Sequence, residues 1–97
     1  MNMPEKVKIL FKTYDVQQEK NLHDMEGDLY GQIHYLPERI ILNEDSTEEQ
    51  KKVTLIHELI HGLDEVYIIG LMEKQVEKLG NALYMLIRDN PEMFMEG

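Results

Sequence analysis

Val7, Ile9 and Phe11 alternate with lysines at the start of the chain. A period of two predicts a half-buried strand over residues 6–12. Residues 15–26 are polar and without a period, which reads as a loop or a short helix. Gly27-Asp28 marks a turn. Alternation resumes over residues 29–35, a second predicted strand, and Leu36-Pro37-Glu38 reads as a tight connection. The short apolar run within residues 39–43 predicts a third. Together these make a small three-stranded antiparallel sheet.

The period then changes from two to 3.6. Ser46-Thr47-Glu48-Glu49 reads as a capping box: Ser46 takes one free amide and Glu49 reaches back to another. A helix should run from there to about residue 66. Val53, Leu55, Ile56, Leu59, Ile60, Leu63 and Val66 cover most of its circumference, so it is predicted to be buried and central. One polar strip interrupts its second half: His57, Glu58, His61, Asp64 and Glu65. Polar groups on a buried helix need partners. Gly70 invites a turn. A second helix is expected over residues 71–88, with Met72, Val76, Leu79, Leu83 and Ile87 inward, and Asn90-Pro91 ends it. Residues 92–97 read as a loosely held tail. No repeat or linker divides the chain. Residues 1–97 are expected to form a single α+β domain, with the sheet packed on the first helix and the second helix beside it.

Within the polar strip, His57-Glu58-Leu59-Ile60-His61 spells H-E-x-x-H. Residues four apart share a helix face, so both imidazoles can reach one metal ion. Glu58 stands about 100° further round the helix, beside the metal, where it can act on a water.

Composition narrows the chemistry. There is no cysteine, which excludes disulfides and thiolate ligands and leaves histidine and carboxylate to hold a metal. The net charge is −9 and the basic residues are scattered, which argues against direct nucleic-acid binding. No apolar run approaches the roughly 20 residues that span a bilayer. Residues 1–6 lack the layout of a signal peptide. The expected location is the cytoplasm, with no membrane partner.

A catalytic zinc takes three protein ligands and leaves a fourth position open. The longer motif H-E-x-x-H-x-x-G-x-x-H needs glycine at position 64 and histidine at 67. Asp64 and Tyr67 stand there, which excludes that class. The third ligand should come from the second helix, where Glu73 and Glu77 both qualify. Glu73 lies on the strip of Ile69, Val76, Gly80 and Leu83, read as the packed side, where Gly80 would let two helices approach. Glu77 shares its strip with Lys74, Asn81 and Tyr84, read as exposed. This favours Glu73. Asp64 is a candidate to orient a ligand histidine. His34, Tyr35, Tyr67 and Tyr84 are candidate oxyanion donors. Residues 39–43 are the expected sheet edge for an extended substrate.

Thr54-Leu55-Ile56-His57-Glu58-Leu59-Ile60-His61, followed by Glu73-Lys74-Gln75-Val76-Glu77-Lys78-Leu79-Gly80-Asn81-Ala82-Leu83, resembles the ImmA/IrrE family of zinc metallopeptidases. The resemblance spans roughly residues 29–87. The family's second helix carries its glutamate ligand in E-x-[EQ]-A-[ND]-x-[FY]-A. Glu73 falls on that ligand and Gln75 on the next polar position, whereas Val76, Glu77, Leu79 and Gly80 depart from the pattern. The resemblance implies a zincin-like fold and one zinc ion on His57, His61 and Glu73. It implies hydrolysis of a peptide bond by a water that Glu58 activates. It further implies a protein or peptide substrate, such as a transcriptional repressor, and a phage, mobile-element or stress-response setting. The alternative is a non-catalytic metal-binding module that regulates a partner by docking, a reading that the small size of the chain suggests.

Overall fold

In the computed structural model, residues 1–95 are described; Glu96 and Gly97, the end of the predicted tail, lie outside the described residues. The first strand, β1 (Lys6–Ile9), is shorter than the alternation predicts. The chain reverses at Leu10, whose φ is 54°, and leaves Phe11 76% exposed. It re-enters at once as β2 (Lys12–Glu19), paired antiparallel with β1. Most of β2 falls in the stretch that reads as patternless. Only Tyr14 and Val16 on it are apolar and pack inward, so its period-two signal is two residues long.

A small ribbon follows, β3 (His23–Asp24) against β4 (Gly27–Asp28), with Met25 at its tip. The hairpin of β5 (Gly31–Tyr35) and β6 (Glu38–Asn43) completes the main sheet. The strand order is β1-β2-β6-β5. β6 runs parallel to β2, Asp15 facing Arg39 through Glu19 facing Asn43. The sheet therefore has four strands and is mixed, where three antiparallel strands are expected. Residues 39–43 are interior, with neighbours on both sides, and the edges are β1 and β5.

The first helix, α1 (Glu48–Tyr67), is capped one residue later than predicted. Thr47 Oγ1 accepts from the Gln50 amide at 3.1 Å, while Ser46 donates its hydroxyl to the Asn43 carbonyl. Leu55 packs on the sheet with Ile9, Tyr14, Ile40 and Leu42. On the other side of α1, Ile56 and Ile60 pack against Val76 and Tyr84 of α2 (Glu73–Asp89). So α1 is central, as its all-round apolarity predicts, although Leu63 is exposed. The packed face of α2 runs through Val76, Gly80, Tyr84 and Ile87. Leu79 and Leu83, expected inside, are 42% and 36% exposed, and Tyr84, expected outside, is buried. Val76 and Tyr84 fill the seam with Ile56 and Ile60, and Gly80 lies between them, where a Cβ would stand 3.4 Å from the Cα of His57. A 3-10 turn, Pro91–Phe94, follows α2. No helix among the described residues is long and apolar enough to cross a membrane.

Tyr14 is fully buried, and its hydroxyl has no hydrogen-bond partner among the described residues. A buried hydroxyl without a partner costs about 1–3 kcal/mol. Tyr14→Phe is therefore expected to raise the urea midpoint by the equivalent of about 1 kcal/mol with an unchanged m-value. A lower midpoint would mean that the hydroxyl has a partner worth keeping.

Candidate metal centre

The polar strip of α1 faces the N-terminal turn of α2 and the edge of β5. His57 and His61 lie one turn apart, with ring centroids 5.0 Å from each other. Their Nε2 atoms meet opposite oxygens of one carboxylate: His57 Nε2 is 3.2 Å from Glu73 Oε1, and His61 Nε2 is 3.1 Å from Glu73 Oε2. Donors of a tetrahedral zinc site stand about 3.3 Å apart when each bond is about 2.0–2.1 Å. The two imidazoles and the carboxylate therefore have the spacing and the chemistry for one such ion. Glu77 lines the same cleft but forms no ion pair with either histidine among the described residues.

Glu58 is buried, 7% exposed, and offers a carboxylate oxygen within 4.8 Å of nitrogens on both histidines. Burial, and then the nearby charge of Glu73, push its carboxyl up to about 7. Its burial depends on a residue that the motif does not contain. A Cβ on Gly31 of β5 would lie 2.5 Å from Thr54 Cγ2 and 3.6 Å from Glu58 Cγ. Only glycine lets the edge strand press this closely onto α1. The signal was available, since an isolated glycine within a strand marks close approach.

Two clefts open on either side of Glu58 and His61, which line both. One, ≈ 480 Å³, runs past Leu29 to Gly31, Gln50, Thr54, His57 and the acids of α2. The other, ≈ 330 Å³, is walled by Gln32 to Tyr35. β5 thus borders the whole groove. The edge beside the site is β5 rather than residues 39–43, because the hairpin order puts β6 inside the sheet.

The candidate oxyanion donors separate. His34 and Tyr35 line the second cleft with Glu58 and His61. Burial first, then Glu65, raises the Tyr35 pKa and keeps its hydroxyl a donor. Tyr84 is packed between the helices, and Tyr67 lies at the end of α1, lining neither cleft. Asp64 does not orient a histidine. Its carboxylate is occupied by the turn between the helices, accepting from the Gly70 and Leu71 amides.

The Glu58 carboxyl titrates at about 7 in the fold and 4.5 as a free group. The folded state holds the proton more tightly, so this stabilisation is complete below about pH 4.5 and lost as pH rises to about 7. Two and a half units amount to about 3 kcal/mol. In chelator-treated protein, the Tm of Glu58→Gln relative to wild type should climb between pH 5 and 8. A constant difference would mean that Glu58 is not a perturbed carboxyl.

No curated protein and no solved structure matches the chain. The family model described as the IrrE N-terminal-like domain, Peptidase_M78, matches residues 6–88. That span holds every strand, α1 and all but the last residue of α2, including the histidines and carboxylates of the cleft. The chain belongs to the Peptidase_M78 family of IrrE N-terminal-like domains.

Proposed function

We propose that this protein is a zinc-dependent endopeptidase, with His57, His61 and Glu73 holding one ion and Glu58 acting as the base. The observation that carries the reading is the meeting of two imidazole nitrogens with one carboxylate, beside a second, buried carboxylate in an open groove. Zinc, when bound, supplies Lewis acidity toward a water and a substrate carbonyl. Glu58 removes a proton from the attacking water, whose oxygen forms a bond to the carbonyl carbon. It then delivers that proton to the amine nitrogen as the C–N bond breaks. His34 or Tyr35 donates to the developing oxyanion. The substrate binds as an extended strand along β5, its main chain paired with the free edge. This puts its scissile bond where the two clefts meet. A transcriptional repressor in the cytoplasm is the substrate we favour, on the resemblance of the two helices to repressor-cleaving peptidases.

A second reading is a metal-binding module that acts by docking. Leu79, Leu83 and Leu86 support it: they form one strip of α2 by helical spacing and are all exposed.

Wild type should bind one zinc per chain, and zinc at a thousand times its Kd should add about 4 kcal/mol of stability. Glu73→Ala should lose zinc affinity while Glu77→Ala keeps it. Glu58→Gln should keep zinc and lose cleavage of repressor substrates by on the order of 100-fold or more, the usual scale of a general base. If Glu58→Gln retains full biological effect, docking replaces hydrolysis. If elemental analysis finds no zinc and none can be loaded, both readings fail.

A further inference from the structure

The turn between α1 and α2 runs over residues Tyr67 to Gly70, all of them exposed. Its backbone is unusual. Ile68 takes φ 55°, a left-handed conformation rare for a β-branched residue, and Gly70 takes φ 85°. One residue holds this turn. The Asp64 carbonyl accepts from the amides of Ile68 and, at 3.2 Å, Ile69. The Asp64 carboxylate accepts from Gly70 at 2.7 Å and Leu71 at 3.1 Å. Four consecutive amides therefore end on Asp64. The next, that of Met72, is taken by the Gln75 side chain at 2.8 Å.

Glu73 is the first residue of α2. Its side chain is 68% exposed, so packing does not fix it. The first fully buried residue of α2 is Val76, one turn further on. Before it, only Leu71 packs against the interhelical core, and the Leu71 amide is one of the four that Asp64 holds. Asp64 itself lies on α1 three residues past His61. The start of α2 is thus referenced to the helix that carries both histidines.

On the reading of the site given above, we infer that Asp64 is a positioning residue for the Glu73 ligand. It sets the turn geometry that brings the carboxylate level with His57 and His61. Asp64 touches neither metal nor substrate in this role. Its carboxylate works as an acceptor of amides, so an uncharged acceptor of the same shape should serve in part.

The test is zinc affinity, measured by competition with a chromogenic chelator. Asp64→Ala should weaken binding by about 10- to 100-fold, the scale set by residues that orient a metal ligand. Asp64→Asn, which keeps the acceptor oxygen, should restore much of it. Thr47→Ala removes the α1 cap far from the turn, and should lower Tm without changing affinity. In a Glu73→Ala background, Asp64→Ala should cost nothing more, because its effect passes through Glu73. Additive losses, or an unchanged affinity in Asp64→Ala, would overturn the inference while leaving the site intact. A wild type that binds no zinc would remove the site itself. If Asp64→Ala does not fold, hydrogen exchange of wild type decides: the amide of exposed Gly70 and that of half-buried Leu71 should be protected, and free exchange at Gly70 would overturn the assignment.

Discussion

Much of this structure depends on one carboxylate from α2 reaching two imidazoles on α1. That contact needs two antiparallel helices at a fixed separation and a fixed rotation. Gly80 sets the separation by bringing α2 against the backbone of His57. Ile56, Ile60, Val76 and Tyr84 set the rotation by filling the seam. The balance of charge is one-sided. Glu58, Glu73 and Glu77 line the groove, and no lysine or arginine lines either of its clefts. Burial and then the nearby Glu73 disfavour the charged form of Glu58, which raises its pKa. The histidines and buried carboxylate of the groove form a group that could hold a metal ion.

The same helix has to close two cores and carry the polar strip between them. Leu55 seals the sheet and Ile56 the seam with α2, one residue apart. The remaining arc holds Thr54, Glu58 and the two histidines, and it faces an edge strand and the start of α2. A residue larger than glycine at position 31 would lift that strand away. The groove therefore owes its depth to β5 and its floor to α1.

The sequence makes α1 legible because its signal is redundant: apolar residues on every side, a cap, and a motif at helical spacing. It favours Glu73 by a strip of which Val76 and Gly80 do pack, whereas Ile69 and Leu83 are exposed. Its account of β2 fails for a physical reason. β2 is central by pairing but buries few side chains, and backbone pairing leaves no mark on hydropathy. The rotation of α2 was obscured by an apolar surplus, since Leu79, Leu83 and Leu86 outnumber the positions that the seam can fill. Strand order was invisible too. The parallel β2–β6 pair joins distant segments, and nothing local distinguishes an edge strand from an interior one.

That parallel pair also bears on how the chain is made. Synthesis proceeds from the N-terminus at about 5–20 residues per second. The sheet is complete once Asn43 has emerged, while the helix that covers its inner face begins at Glu48. For an interval on the order of seconds, Tyr14, Ile40 and Leu42 have no cover and β5 has a free edge. Local helices form faster than distant strand pairs, so α1 is poised to cover that face as it emerges. Glu73 comes later still. The histidines exist for a time without the Glu73 carboxylate that meets them in the folded chain, so the imidazole pair precedes its partner in synthesis.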